Sequence, residues 1–198
     1  MKLLNLISLV LCAASLGAGP IRGDLNGDGV LDEAEIVWTE GTKILPDLII
    51  TLKNKDRPDQ KIKSPKAICL GCGGPKAIMD HPLGELSIIK GILVITYEGG
   101  ARSVWKDVFR WRLDSSKKNL VLIGRTYEIE DNFGEYAKEK VDANYSTSKI
   151  DRTIGKKKKS CSFDSSKKIY LSKYDFAEDR TDDLEKLEKA CPMKETVN

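Results

Sequence analysis

The residues best placed to do chemistry together lie in the run Asp24-Leu25-Asn26-Gly27-Asp28-Gly29-Val30-Leu31-Asp32-Glu33-Ala34-Glu35. Counted from Asp24, oxygen-bearing side chains fall at positions 1, 3, 5, 9 and 12, with glycine at 6 and an apolar residue at 8. A hard divalent cation requires this spacing: alternate residues turn their oxygens inward, and the glycine makes the sharp turn. The expected ligands are the side chains of Asp24, Asn26, Asp28, Asp32 and Glu35 and the backbone carbonyl of Val30. Carboxylates crowded into so short a stretch repel one another, and a calcium ion would remove that repulsion.

The cysteines are the second group with chemistry. Cys69, Cys72, Cys161 and Cys191 form an even set beyond the N-terminal leader, which in an exported chain favours disulfides. Four cysteines allow three connectivities, and the pairing of near neighbours, Cys69 with Cys72 and Cys161 with Cys191, is the expected one. Cys69 and Cys72 also have the spacing of a thiol–disulfide exchanger, although Gly73-Gly74-Pro75 blocks the helix that would activate the first thiolate. They could equally form half of a zinc site, but the second half is missing, because His81 is the sole histidine. His81 sits in Met79-Asp80-His81-Pro82, which reads as a turn, and no Gly-x-Ser-x-Gly nucleophile motif is present. The expectation is therefore a non-enzymatic protein, with CxxC redox chemistry as the enzymatic alternative.

Lys2 and the apolar run from Leu3 to Ala18 read as a secretory signal, too short to span a bilayer. Ser15 and Gly17 fit the small residues of a cleavage site, giving a signal peptide over 1–17 and a secreted or periplasmic mature chain. Leu11 precedes Cys12 where a lipidation site carries a small residue, so no lipid anchor is expected, and no transmembrane segment either. A net charge of +3 spread over a mixed surface gives no reason to invoke nucleic acid. The run Lys156-Lys157-Lys158-Lys159 has no interleaved aromatics and follows Gly155, so it is expected to be a solvated loop.

These residues need a scaffold, and the remaining sequence predicts a mainly β one. Ile36-Val37-Trp38-Thr39, Leu48 to Leu52 and Ala67 to Leu70 read as strands, with Asn54 to Gln60 as a polar turn. Leu86 to Ile89 and Ile92 to Tyr97 flank Lys90-Gly91, a two-residue hairpin turn. From Trp105 onward the odd residues Trp105, Phe109, Trp111 and Leu113 alternate with more polar ones, the mark of a strand with one buried face, and Leu120 to Ile129 returns as its partner. Lys138 to Asn144 and Thr147 to Thr153 make a more polar hairpin, and Lys168 to Leu171 a last strand. Ala177 to Ala190 reads as a short surface helix in an acidic and basic tail. The expectation is one antiparallel sheet or sandwich domain over 18–198, with an N-terminal calcium loop and a C-terminal helix.

Gly23-Asp24-Leu25-Asn26-Gly27-Asp28-Gly29, passing into a hydrophobic strand, resembles the calcium loops of FG-GAP and VCBS-type repeats. The spaced series Cys69-Leu70-Gly71-Cys72-Gly73-Gly74, Leu86-Ser87-Ile88, Leu93-Val94-Ile95, Gly99-Gly100, Trp105, Phe109-Arg110, Leu122-Ile123-Gly124 and Asn144-Tyr145 is similar to that of small exported bacterial proteins with one such loop. The expectation is an exported calcium-binding protein in which the ion is mainly structural and the surface meets an unknown protein or glycan partner. Repeat proteins carry several loops and this chain carries one, so a propeller does not follow. EF-hand and dockerin modules are the other relatives, with calcium-dependent interaction as the alternative function. An EF-hand needs a helix before the loop and a dockerin needs a second loop, and the sequence offers neither.

Overall fold

The computed structural model describes residues 19–38, 46–69, 83–100, 102–134 and 137–193. The strands are β1 (Ile21–Gly23), β2 (Asp32–Val37), β3 (Asp47–Leu52), β4 (Gln60–Ser64), β5 (Leu83–Ile89), β6 (Ile92–Gly99), β7 (Ser103–Asp114), β8 (Asn119–Asp131), β9 (Glu139–Asn144), β10 (Lys149–Ile154) and β11 (Lys157–Ser162). A 3-10 turn, Leu171–Lys173, and one helix, α1 (Phe176–Ala190), follow. The strands make two antiparallel sheets, β1-β2-β3-β4 and β11-β10-β9-β8-β7-β6-β5, each running in chain order. Neighbours in sequence are therefore neighbours in space, which short turns between alternating segments favour.

The long hairpins form as their side-chain pattern dictates. In β7 the odd residues Asp107, Phe109 and Trp111 are buried, while Val104, Lys106 and Arg112 are exposed. Lys90 and Gly91 take φ values of 50° and 75°, the left-handed pair that joins β5 to β6 tightly. One apolar cluster joins the two sheets: Leu48, Ile50 and Ile62 from the smaller meet Leu93, Ile95, Phe109, Trp111 and Leu122 from the larger. Burial of this common core is the main force that holds the sheets together. The sheets also touch at β1 and β5, where a side chain at position 23 would collide with Ile88, so Gly23 permits the approach. A second cluster, Val141, Ala143, Ile150, Leu187 and Cys191, lies beneath α1.

Four expectations are corrected. Ala67, Ile68 and Cys69 are buried but form no strand. Their stretch is held instead by single hydrogen bonds, from Tyr97 Oη to the Ala67 carbonyl and from Phe176 N to the Lys66 carbonyl. Strand β4 begins at Gln60, where the sequence reads as the end of a turn; Ile62 is its one large apolar residue, and it is buried. Lys168 to Leu171 yields a single bridge, Val121 to Tyr170, before the chain turns into the 3-10 segment. Lys157, Lys158 and Lys159 lie not in a loop but along edge strand β11, exposed. Lysines there keep other chains from adding to the sheet.

Candidate functional site

The acidic loop is the connection between β1 and β2, whose pairing brings Gly23 opposite Asp32. Within it, alternate side chains fold back on the backbone. The Asp24 carboxylate accepts from Gly27 N at 2.7 Å and Gly29 N at 2.9 Å. The Asn26 amide oxygen accepts from Asp28 N at 2.9 Å, and Asp28 Oδ1 accepts from Val30 N at 2.8 Å. Such turns form because a short oxygen-bearing side chain can reach amides two residues ahead. Gly27 and Gly29 take φ values of 77° and 80°, which a side chain there would resist. Buried Leu25 pins the loop to the core, and Asn26 Nδ2 donates to the Lys53 carbonyl at the end of β3.

Asp32 and Glu35, at positions 9 and 12, part company. Asp32 opens β2 and is fully buried, with Oδ2 accepting from Leu25 N at 2.7 Å and Asn26 N at 3.2 Å. Its Oδ1 accepts from Lys53 N at 2.8 Å, so one carboxylate ties the loop to two strands. Burial raises its pKa above the ordinary 3.8, the three N–H groups oppose that rise, and the nearby Asp24 charge adds to it. Glu35 lies three residues along the strand, opposite Ile49, and alternation puts it on the other face from Asp32 and Ala34. It shares that face with Glu33, which pairs with Arg22 at 3.1 Å and Lys53 at 2.8 Å. The chain thus leaves the loop as a strand, as Ile36 and Val37 predict.

The loop suits calcium in the kind of donors it offers. Asp24 and Asp28 contribute carboxylates, Asn26 an amide oxygen and Val30 a backbone carbonyl, all hard oxygens. An oxygen that accepts one N–H keeps a further lone pair. Among the described residues, no Lys or Arg pairs with Asp24, Asp28 or Asp32, and no three His, Cys, Asp or Glu side chains converge as a metal group. Within the loop, Asn26 Nδ2 donates to Asp28 Oδ2 at 3.2 Å, while the Asp24 and Asp32 carboxylates hold backbone amides.

A second charged cluster escaped the sequence reading. Arg125 on β8 is buried and grips Asp107 on β7 with two bonds, Nη2 to Oδ2 at 2.7 Å and Nε to Oδ1 at 3.0 Å. Its Nη1 reaches Asp183 at 3.0 Å and the Arg180 carbonyl at 3.0 Å, both on α1. Arg180 returns a bond to Asp107 at 2.9 Å and stacks 4.0 Å from the Trp105 ring, while Tyr145 Oη donates to Asp183 at 2.5 Å. Burial opposes the Arg125 charge, but Asp107 more than offsets this and raises its pKa. The signal was present: Asp107 shares the parity of Trp105, Phe109 and Trp111, so a carboxylate on the buried face required a buried cation.

Cys161 and Cys191 are joined in a disulfide, Cα to Cα 5.5 Å, that fastens the end of α1 to β11. Cys69 is also disulfide-bonded and is fully buried. Cys12, Cys72 and His81 lie outside the described residues, as does the 1–17 leader. Among the described residues, no helix is long and apolar enough to cross a membrane. No protein-family model, curated protein or solved structure matches the chain. The similarity to FG-GAP and VCBS-type loops therefore rests on the loop residues themselves.

Proposed function

We propose that this is an exported calcium-binding β protein whose ion serves mainly to fix the β1–β2 loop, so that the protein can present a surface to a binding partner. The observation that carries this reading is the loop itself: Asp24, Asn26 and Asp28 each turn an oxygen back over the same backbone, and no protein cation among the described residues meets the charges. Asp24, Asn26 and Asp28, with the Val30 carbonyl, would hold the ion. When bound, it supplies charge that cancels the repulsion of the two carboxylates. Asp32 keeps its own task, holding Leu25, Asn26 and Lys53 in register. The apolar leader and the disulfide both suit export to an oxidising compartment. Full burial of Cys69 weighs against redox exchange, which needs an accessible thiol.

Calorimetric titration of the mature protein with calcium tests the reading directly, and Asp28→Ala should abolish the binding heat. Extracellular sites bind at about 0.1–1 mM, so calcium at tenfold its dissociation constant should add about 1.4 kcal/mol of stability. A melting temperature that is the same in EDTA and in excess calcium would overturn the proposal.

A further inference from the structure

Two open clefts, of about 480 and 670 Å³, adjoin the β1–β2 loop and share Asn26, Leu113 and Ser115 as a common wall. The β3–β4 connection and the β7–β8 turn complete the first, and the β5–β6 turn and the end of β7 complete the second. These parts are fixed to one another. Gln60 Nε2 donates to the Lys118 carbonyl at 2.9 Å, tying the smaller sheet to the β7–β8 turn. The β5–β6 turn lies so near the loop that a Cβ at Gly91 would sit 3.6 Å from the Asp24 carbonyl oxygen. Both sheets therefore contribute to a single groove that runs past the loop.

The groove is cationic. Lys55, Arg57 and Lys118 line the first cleft, and Lys90 and Arg112 line the second. All five are exposed, and among the described residues none makes an ion pair or donates a side-chain hydrogen bond. Asp24, Asp28 and Asp56 line the same clefts, fewer than the cations, and Asp24 and Asp28 already turn oxygens to backbone N–H groups. The arginines discriminate most sharply. Every other arginine of the chain has a side-chain partner, and the two that have none among the described residues, Arg57 and Arg112, both line this groove. A guanidinium is a planar fork that fits a carboxylate with two bonds, as Arg125 fits Asp107 within the fold.

The placement of charge and apolar surface indicates the occupant. Cations stand in both clefts, so the matching ligand carries acidic groups at more than one point along its length. Between them the shared wall is aliphatic Leu113, with Leu52 in one cleft and Ile88 in the other. No aromatic ring lines either cleft, so nucleic-acid bases and sugar rings would find nothing to stack on. We propose that the groove docks a peptide segment of a partner protein, rich in aspartate and glutamate and carrying an aliphatic residue between its acids. Arg57 and Arg112 hold carboxylates in the two clefts, and Leu113 meets the aliphatic side chain. This deepens the function proposed above by naming its partner, and it rests on that reading for one effect only. Calcium in the loop would add positive charge beside both clefts and tighten docking, and by linkage the peptide would tighten calcium.

Fluorescence anisotropy of the mature, oxidised protein with a short labelled peptide of acidic pairs separated by leucine tests the proposal. The controls are the same peptide with its acids changed to amides, an oligouronate and a single-stranded oligonucleotide. The acidic peptide should bind in EDTA, weaken as salt rises and bind more tightly in calcium, while the amide peptide should not bind. Arg57→Gln and Arg112→Gln should each weaken binding about three- to tenfold, and the double variant should abolish it. Neither guanidinium has a partner in the folded chain, so both variants should melt as the native protein does. Lys149→Glu, an exposed change on β10 away from the groove, should leave binding unaltered. Calorimetry with calcium alone reads the loop, and peptide binding in EDTA reads the groove, so the two failures are distinguishable. The proposal is overturned if the acidic peptide does not bind in EDTA, or if the arginine variants bind it as the native protein does. It is equally overturned if Lys149→Glu weakens binding as much as they do, if the oligouronate or oligonucleotide binds more tightly, or if bound calcium leaves peptide affinity unchanged.

Discussion

Two groups of carboxylates in this chain meet opposite fates. At the helix–sheet junction, Asp107 and Asp183 are answered by Arg125 and Arg180, with every contact made inside the protein. In the β1–β2 loop, Asp24, Asp28 and Asp32 are answered, among the described residues, by backbone N–H groups and one amide. Amide dipoles orient a carboxylate but do not cancel its charge, whereas a bidentate guanidinium does both. The junction is therefore electrostatically complete as folded, and the loop has an uncancelled charge that an external cation could meet. The two clusters also do different mechanical work. The junction clamps α1 onto β7 and β8, with the Cys161–Cys191 disulfide fastening the far end of the helix. The loop holds mainly itself, reaching the rest of the fold through Asp32, through buried Leu25 and through the Asn26 bond to the Lys53 carbonyl.

The sharpest way to break the comparison is at Arg125. Arg125→Met removes the cation and leaves Asp107 buried with only Arg180 beside it. Removing one partner of a buried pair costs about 3–5 kcal/mol. Urea denaturation should show a loss of that size, equal with and without calcium. A loss below about 1 kcal/mol, or one that calcium restores, would mean that the junction is not self-sufficient.

Asp32 gives the next largest effect. In Asp32→Asn the amide nitrogen must face at least one of the N–H groups of Leu25, Asn26 or Lys53, a loss of about 1–3 kcal/mol. The pH dependence has a definite sign. Because burial raises the Asp32 pKa in the folded state, its contribution is fully present below the ordinary value of 3.8 and declines as pH rises through the folded value. The stability gap between the native protein and Asp32→Asn should therefore narrow between pH 4 and pH 7, which denaturant midpoints at the two pH values would show. A gap that widens would mean that the three N–H bonds outweigh burial.

The two clusters were unequally legible in the sequence. The loop was readable because its residues are contiguous and its geometry is local: each turn spans two to five residues, and glycine marks the left-handed positions. The long hairpins were readable for the same reason, since a period of two in β7 and β8 needs no knowledge of distant chain. The junction joins residues 107, 125, 145, 180 and 183, whose proximity exists only once β7, β8 and α1 have packed. Strand β4 was hidden because, of Gln60-Lys61-Ile62-Lys63-Ser64, only one residue is large and apolar, and its neighbour β3 supplies the ladder. Ala67 to Cys69 misled in the opposite way, since apolar residues at a core wall need burial and not a ladder.

Glu35 gives the smallest expected effect and bears on what the loop becomes when an ion is present. In a loop that feeds a helix, the twelfth residue swings round and binds the cation with both carboxylate oxygens. Here β2 already holds Ala34 against Ile50 and Glu35 against Ile49, and strand alternation turns Glu35 away from the face of Asp32. For Glu35 to reach the loop centre, the pairing of β2 with both β1 and β3 would have to break, and those ladders include buried Ala34 and Ile50. Asp28 is already in the loop, exposed, with Oδ1 bonded only to Val30 N. Glu35→Gln should therefore weaken calcium binding less than tenfold, under about 1.4 kcal/mol, while Asp28→Ala abolishes it. Calorimetry on the two variants decides the matter. Equal damage would mean that calcium pulls β2 out of register at its first turn, and that the bound loop runs on into a helix.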